Sequence, residues 1–161
     1  MIPIKLIYDK FDNDIGFIQN EAEQTSLDIN DVLKNLPEKV ENELINKNRV
    51  LQINTWGIKI SEGSVCDVVF DLRNFQTKLD SKLNVHSLNG FSKEIQDSII
   101  LHPKFIELMD KIVTTIETRE PQTVGFFCNH GKHRSVGWAE LLKKYYYTNA
   151  KIKHHSNPRK I

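Results

Sequence analysis

The sequence lacks most features that would place it in a specialised class of proteins. Cys66 and Cys128 are the two cysteines among 161 residues, too few for a disulfide framework. No apolar run approaches the length of a membrane span, and no charged segment leads into a long apolar stretch as in a secretion signal. The motif G-x-x-x-x-G-K-[ST] is absent, so we expect no ATP site of that type. These absences predict a soluble, reduced, cytoplasmic protein without membrane contact.

The size and charge of the chain limit what it can be. With 161 residues, of which 39% are hydrophobic, it can form one compact domain with a real core. The net charge of +1 gives no global field that demands nucleic acid as a partner. The charge is nevertheless uneven, because residues 1–49 carry ten acidic and six basic side chains, whereas residues 141–161 carry six basic and no acidic ones. The carboxyl-terminal part is therefore where we expect an anion to bind.

Hydrophobic patterning predicts alternating strands and helices. Short apolar runs predict strands at residues 2–9, 50–56, 65–73, 123–128 and 151–155. Capping residues and helical periodicity predict helices, namely a short one capped by Asn30 or Asp31, one at residues 39–47 after Pro37, one after Ser92, one from Pro103 to Glu117 and one at residues 135–147. Residues 74–89 are polar with little periodicity and predict a long loop.

This alternation predicts an α/β fold, a layered and mostly parallel sheet flanked by helices. We expect a single domain over residues 1–161. In such sheets ligands bind at the carboxyl ends of the strands. Cys128 and Arg73 both stand at predicted strand ends, so they mark a candidate site.

The turn after Cys128 carries the strongest chemical signal. Here the apolar run stops and a helix begins near Arg134. A loop of this length can curl so that its backbone N–H groups and the helix dipole face one anion, typically phosphate. Gly131 permits the crowded backbone, and Arg134 can hold two anion oxygens. The predicted phosphate-binding residues of this strand–loop–helix are Cys128, Asn129, His130, Gly131, Lys132, His133, Arg134 and Ser135.

Two functions fit this geometry. If an ester lies in line with a Cys128 thiolate, which the positive surroundings favour, the protein is a cysteine-dependent phosphatase. In that case Cys128 and Arg134 are catalytic, and Asp71 is a candidate general acid. Without a placed general acid, the loop only holds a phosphorylated ligand. A third interpretation makes Cys128 an ordinary buried residue that closes a core strand.

Several motifs, in order, resemble the carboxyl-terminal domain of the RNase adapter protein RapZ family. CNHGKHRSV at residues 128–136 resembles that family's CTGGKHRSV-type loop. NTWGIKIS at residues 54–61 and DVVFDLRNF at residues 67–75 resemble its SFGFKYG and DVVFDVRFL segments. The resemblance covers residues 48–155, leaving residues 1–47 as an unfamiliar extension packed on this core and residues 156–161 as a basic tail. His130 stands where the family's loop has its first glycine.

The resemblance implies a regulator or adapter that senses a sugar phosphate such as glucosamine-6-phosphate, binds RNA and forms homo-oligomers. Members of this family are not established as enzymes through this domain, so the resemblance favours a function without catalysis. By the same resemblance, the Lys59 side chain reaches the ligand anion. The alternative interpretation of Lys59, without the resemblance, is an ordinary solvated lysine at a strand end. Arg73 either contributes to the anion site or forms a structural ion pair with one of two carboxylates, Asp71 or Asp67. The residues that could contact RNA are Lys151, Lys153, His154, Arg159 and Lys160. The alternative for this basic segment is a solvated chain end.

We therefore expect a domain that binds a phosphorylated small molecule without catalysis, with RNA and self-association as further expected partners. The alternative is a phosphatase that uses the Cys128-x5-Arg134 loop. We expect no metal, because His154 and His155 have no evident third ligand. We also expect no cofactor.

Overall fold

The computed structural model describes residues 28–77 and 87–156. In chain order the elements are α1 (Ile29–Leu33), β1 (Lys39–Val40), β2 (Glu43–Leu44), β3 (Gln52–Gly57), β4 (Val68–Asp71), α2 (Lys93–Ile100), α3 (Phe105–Arg119), β5 (Thr123–Cys128), α4 (Arg134–Tyr145) and β6 (Lys151–His154). The strand predicted at residues 2–9 lies outside the described residues. Among the helices at residues 28–77 and 87–156, none is long and apolar enough to cross a membrane.

The larger sheet is parallel and has the strand order β4-β5-β3-β6. Its central strand β5 reads TVGFFC and is almost wholly buried, as expected for a strand covered on both faces. The register pairs Gly57 of β3 with Cys128 of β5 and Asp71 of β4 with Phe127. The carboxyl ends of the strands therefore meet at one edge, and the predicted α/β class with a parallel sheet is confirmed.

The main core lies on one face of this sheet. Side chains on that face of the strands, among them Ile53, Phe70 and Phe126, form one cluster with the buried residues of all four helices described. Helix α3 contributes residues at helical spacing, including Leu108 and Ile112, which are fully buried. Burying apolar surface at about 25 cal/mol per Å² makes this cluster the main stabilising element of the fold.

The opposite face of the sheet holds a smaller cluster. Trp56, Cys66, Val69 and Phe127 pack together there, with the Trp56 and Phe127 rings stacked at 5.6 Å between centroids. Trp56, Val69 and Phe127 point away from the main core because side chains alternate along a strand, and Cys66 joins them from the segment before β4. Burial raises the pKa of the Cys66 thiol, outweighing a hydrogen bond from Asn54. Cys66 is thus a small apolar residue here, as its place in an apolar run indicates.

The helix predicted at residues 39–47 is wrong. The structure has a two-stranded antiparallel hairpin there, in which Lys39 pairs with Leu44 and Val40 with Glu43. The two turn residues, Glu41 and Asn42, have φ angles of 53° and 70°. Good helix formers such as Glu, Lys and Leu suggested a helix, but two consecutive left-handed residues are the signature of a tight hairpin turn.

The part of the extension that the structure describes contacts the core directly. The Tyr146 hydroxyl donates to the Pro37 carbonyl at 2.6 Å, and Lys47 lies 5.3 Å from the centre of the Tyr146 ring. The Asn46 amide donates to the Glu117 carboxylate at 3.0 Å. These contacts join residues 37–47 to α3 and to the end of α4.

Candidate functional site

The candidate site is the edge of the sheet where β3, β4, β5 and β6 end. The loop that follows β5, residues 128–135, leads directly into α4. It lies beside the ends of its neighbours, since the amides of Ile58 and Lys59 donate to Cys128 and Asn129 carbonyls at 2.9 Å each. This is the edge at which ligands bind in parallel α/β sheets.

Cys128 organises the interior of the 128–135 loop. Its thiol is 2% exposed, and its Sγ atom accepts a hydrogen bond from the Gly131 amide at 3.2 Å. The same Sγ lies 3.3 Å from the Ser135 hydroxyl, which is fully buried. The loop therefore curls around the sulfur atom, and Gly131, with φ of 71°, supplies the left-handed turn that this needs.

The end of β3 fits closely against this curl. A Cβ atom added to Gly57 would lie 2.1 Å from the carbonyl carbon of His130 and 2.5 Å from the Gly131 nitrogen. A Cβ atom added to Gly131 would lie 2.5 Å from the Gly57 nitrogen. Real Cβ contacts do not become this short, so both positions require glycine.

Carbonyl oxygens of the loop are turned toward neighbouring segments. They accept hydrogen bonds from amides outside the loop: Cys128 from Ile58 at 2.9 Å, Asn129 from Lys59 at 2.9 Å and Lys132 from Gly90 at 2.7 Å. In a planar trans peptide the N–H group points opposite to the C=O group. The amides of Asn129, His130 and His133 are therefore directed away from those segments.

The beginning of α4 adds further amides to the loop. The Gly137 amide donates to the His133 carbonyl at 2.8 Å, so the amides of Arg134, Ser135 and Val136 precede the first helical hydrogen bond. Such amides and the helix dipole favour an anion. His133 occupies the N-cap position of α4, and its side chain makes no capping hydrogen bond to the helix. Its Nε2 instead donates to the Leu88 carbonyl at 2.8 Å, so this nitrogen carries the hydrogen.

Arg134 is partly occupied by the end of β4. Its Nη1 donates to the Leu72 carbonyl at 3.2 Å and to the Arg73 carbonyl. The guanidinium is half-buried and has five N–H donors in all. Arg134 thus joins the loop to the end of β4, a contact that the spacing Cys128-x5-Arg134 did not predict.

Arg73 forms the ion pair that the sequence left open. Its Nε donates to Asp71 Oδ1 at 2.9 Å, its Nη2 contacts Oδ2, and its guanidinium lies 5.3 Å from the centre of the Phe127 ring. Asp71 is 8% exposed, whereas the Arg73 side chain is 41% exposed at the strand end. Both Asp71 oxygens accept hydrogen bonds from Arg73, so the carboxylate is engaged in this ion pair.

The other predicted residues lie around the loop with different exposure. Lys59 and His130 are exposed, and Asn129 and Lys132 are half-buried. Lys59 follows the end of β3, where its backbone holds Asn129 and its side chain reaches solvent. The structure therefore brings the predicted anion-binding residues together at one edge, with the exposed side chains of Lys59 and His130 at its rim.

The predicted RNA-contacting residues are less uniform. Lys151 and Lys153 are exposed on the edge strand β6. His154 is half-buried, and its two ring nitrogens are occupied by the Thr55 hydroxyl at 2.7 Å and the Glu140 carboxylate at 2.9 Å. It therefore links β3, β6 and α4. Arg159 and Lys160 lie outside the described residues.

Sequence reasoning missed three contributors to the site. Gly57 directly follows the strand predicted at residues 50–56, and only the parallel register shows that it touches the loop. Ser156 directly follows β6, and its hydroxyl accepts from the Gly57 amide at 3.0 Å. The third is the turn at residues 88–90, which holds Lys132 and His133; its segment LNGFSKEI resembles a stretch of the family, but the resemblance did not indicate this contact.

No group of three or more His, Cys, Asp or Glu side chains suited to a metal ion occurs within residues 28–77 and 87–156. His155, which we considered beside His154, instead hydrogen-bonds through Nε2 to Asn54 at 3.0 Å and Ser64 at 3.1 Å. These contacts fasten β3 and the segment after it to the residue that follows β6.

Fold and site together define an α/β domain whose central strand ends in a glycine-containing loop curled around a buried cysteine. A sequence model of the RapZ C-terminal domain matches residues 49–161, well over half of the chain. The chain therefore belongs to the RapZ C-terminal domain family.

A curated relative matches part of the chain. The chain is 30% identical over 111 residues to a protein of Thermosipho melanesiensis described as a nucleotide-binding protein. The match covers 63% of this chain and 40% of that relative. The chain thus corresponds to less than half the length of the curated relative that it matches.

Proposed function

We propose that this domain is a non-enzymatic regulator or adapter that binds a phosphorylated small molecule, a sugar phosphate such as glucosamine-6-phosphate, at the 128–135 loop. Membership of the RapZ C-terminal domain family supports a regulatory or adapter role. The ligand class comes from the resemblance of CNHGKHRSV to that family's loop. The chemistry of the loop gives independent support.

The observation that carries the proposal is the orientation of the peptide groups. Carbonyls of Cys128 and Asn129 are held by Ile58 and Lys59, and that of Lys132 by Gly90, which directs each following amide away from the segment that its neighbouring carbonyl contacts. An array of this kind at a helix N-terminus suits a tetrahedral anion, because several N–H dipoles and the helix dipole then act on one charge.

Cationic side chains at the rim complement these dipoles. Lys59 is exposed beside Asn129, and the Arg73 side chain is 41% exposed at the end of β4. A phosphate attracts both, whereas the sugar part of the ligand extends toward solvent. We infer that the phosphate supplies most of the affinity and that the rim sets which ester is accepted.

Calorimetry with matched ligands tests the proposal. Glucosamine-6-phosphate, glucose-6-phosphate and inorganic phosphate are titrated into the full chain, with unphosphorylated glucosamine as the ligand control. We expect the phosphorylated compounds to bind and glucosamine not to bind.

Lys59→Ala should weaken binding by about threefold, as for one exposed charge contact. Lys39→Ala, an exposed lysine of the hairpin, should have no effect. Absence of binding by every phosphorylated compound at millimolar concentration contradicts the proposal.

The phosphatase alternative has less support from the same geometry. The Cys128 thiol is 2% exposed and already accepts a hydrogen bond from the Gly131 amide. Asp71, the candidate general acid, is paired with Arg73. Turnover of an aryl phosphate by wild type and by Cys128→Ser separates the two functions. Equal and negligible rates are expected, and a rate that depends on Cys128 would replace our proposal with the phosphatase.

A second function, RNA binding along β6, is favoured by one observation. Lys151 and Lys153 are exposed and two residues apart on an edge strand, so they face the same side of the sheet. Such a pair can contact adjacent phosphates. We expect RNA affinity to fall steeply with added salt, and Lys151→Ala with Lys153→Ala to reduce the salt dependence. The control pair is Lys34→Ala with Lys39→Ala. Identical retention of RNA by both double variants contradicts this function.

Self-association is the remaining proposal and rests on the family resemblance. Light scattering during size-exclusion chromatography gives the mass directly. A single species of about 18.7 kDa at all concentrations contradicts it.

A further inference from the structure

Strand β6 ends beside the candidate site and does not extend past it. The register pairs Thr55 with His154, and the His155 amide donates to the Thr55 carbonyl at 2.8 Å. Ser156, two residues after His154, therefore lies beside Gly57, although β6 has already ended. Its side chain is half-buried, and its hydroxyl accepts a hydrogen bond from the Gly57 amide at 3.0 Å.

This hydroxyl replaces a missing backbone partner. In a parallel ladder the amide of Gly57 faces away from β5, because Ile58 is the residue that donates to the Cys128 carbonyl. The next strand on that side is β6, which no longer supplies a carbonyl at this level. Gly57 is buried, so an unpaired amide there would be unfavourable. Ser156 Oγ satisfies it.

Ser61 contacts both the carbonyl group of Gly57 and the hydroxyl of Ser156. The amides of Ile60 and Ser61 donate to the Gly57 carbonyl at 2.9 Å and 3.1 Å, and the Ser61 and Ser156 hydroxyls are 2.7 Å apart. The backbone of Gly57 is thus held at both its N–H and its C=O group. Held in this way, it cannot shift without breaking bonds to both serines.

Gly57 transmits this constraint to the 128–135 loop. Its α-carbon is packed tightly against the His130–Gly131 peptide, since an added Cβ would lie 2.1 Å from the His130 carbonyl carbon. A Cβ on Gly131 would in turn lie 2.9 Å from the Ser156 Cβ. The segments at the ends of β3, β5 and β6 are therefore packed together at the point where the loop makes its left-handed turn.

We propose that Ser156 is a positioning residue of the anion site, which acts through Gly57 to fix the curl of the 128–135 loop. This inference rests on the proposed function, because the consequence of the curl is the affinity for phosphate. Ser156 does not need to touch the ligand. Its hydroxyl sets the position of the Gly57 backbone, and that backbone limits how far the Gly131 turn can open.

The test compares Ser156→Ala with a matched serine variant in the full chain. Ser64→Ala removes another hydroxyl next to the end of β6, which bonds to His155 and not to Gly57. Inorganic phosphate is titrated into each protein by calorimetry. Loss of one hydrogen bond corresponds to a two- to tenfold change in affinity, so we expect Ser156→Ala to weaken phosphate binding by about fivefold. Ser64→Ala should stay within about twofold of wild type, and Ser156→Thr, which keeps the hydroxyl, should restore binding.

A second measurement separates positioning from general stability and from failure of the proposed function. Amide resonances of Gly57 and Gly131 are recorded without ligand. Ser156→Ala should shift both, and Ser64→Ala neither. If phosphate fails to bind wild type, the proposed function fails, and the resonances alone still decide whether Ser156 positions the loop. If Ser156→Ala does not fold, Ser61→Ala, which removes the other hydroxyl of the pair, is expected to shift the same two amides. Unchanged Gly131 resonances in a folded Ser156→Ala or Ser61→Ala protein overturn the inference.

Discussion

Gly57 and Gly131 are packed so closely that neither can carry a side chain. A Cβ atom on either residue would lie 2.5 Å from the backbone nitrogen of the other. Gly57 ends β3, and Gly131 forms the left-handed turn of the loop after β5. The shape of the loop is therefore set by contact between two strand ends that are 74 positions apart in the sequence.

This contact predicts that Gly57→Ala is strongly destabilising. The nearest atoms to an added Cβ are backbone atoms of His130 and Gly131, which cannot move aside as the end of a side chain can. We expect a loss of about 2–3 kcal/mol in the free energy of unfolding, typical of overpacking, together with weaker phosphate binding. Urea denaturation and calorimetry measure the two effects.

Gly137→Ala is the matched control. A Cβ there would meet Cδ1 of Ile99, the end of a flexible side chain, at 2.6 Å. Alanine in a helix is favoured over glycine by about 1 kcal/mol, which offsets the adjustment of Ile99. We expect a stability close to wild type. Equal behaviour of Gly57→Ala and Gly137→Ala would contradict the importance of the Gly57–Gly131 contact.

Arg73 and Asp71 form a pair whose two members we expect to differ in function. Arg73→Met removes a cation that is 41% exposed at the rim, so it should weaken phosphate binding by about fivefold. Asp71→Asn removes the carboxylate and leaves the cation, so phosphate affinity should not fall. Both variants lose the ion pair and should lose stability. If neither substitution alters phosphate affinity, Arg73 serves only the structural pair.

Glu117 predicts an acid-dependent loss of stability. Its carboxylate accepts hydrogen bonds from Arg49 at 2.7 Å and 3.0 Å, from the Asn46 amide and from the Tyr147 hydroxyl. Burial raises the pKa of Glu117, but the hydrogen bond from Arg49 and these other contacts outweigh it, and the pKa is lowered. A carboxyl with a lowered folded pKa stabilises the fold above its unfolded pKa of about 4.3, and this contribution is lost as the pH falls.

We therefore expect Glu117→Gln to lose about 2–4 kcal/mol near neutral pH, as for a broken and largely buried charged pair. The difference from wild type should shrink when urea denaturation is repeated below about pH 4. Glu107→Gln is the control, because Glu107 is 52% exposed and pairs only with Lys104 among the contacts described. An undiminished difference between wild type and Glu117→Gln at acidic pH would contradict this role.

His155 predicts a separate and smaller effect at higher pH. Partial burial of its ring lowers the pKa of His155, although the residue as a whole is exposed, and the neighbouring charges of Lys153 and His154 lower it further. The folded state then binds fewer protons than the unfolded state below the ordinary histidine pKa of about 6.5, so stability falls as the pH decreases through this range. His155→Gln removes this titration.

Urea midpoints of wild type and His155→Gln at about pH 7.5 and about pH 5.5 measure the effect. Wild type should lose more stability than the variant. Added salt should reduce the part due to Lys153 and His154, because His155 is exposed and its charge interactions are screened. Parallel changes in the two proteins would show that His155 does not contribute.

Local patterns predicted much of the fold. The strand TVGFFC was predicted with its true bounds, Thr123–Cys128, because a short apolar run ended by a polar turn has few alternatives. Ser92 was predicted to begin a helix and is the N-cap position of α2, although its hydroxyl accepts from the Asn89 amide instead of capping the helix. The hairpin at Glu41 and Asn42 was missed, since the composition of that segment favours a helix in isolation.

The sequence by itself determined the α/β class, the position of the loop after Cys128 and the presence of glycine at its centre. These follow from hydrophobic periodicity and from residue types over a few neighbouring positions, which local sterics decide. Only the tertiary structure decided that Gly57 and Ser156 hold the loop, that Arg134 is bound to the end of β4 and that His154 is occupied by Thr55 and Glu140. Those contacts join residues far apart in the chain, and they depend on strand order and register, which no local pattern encodes.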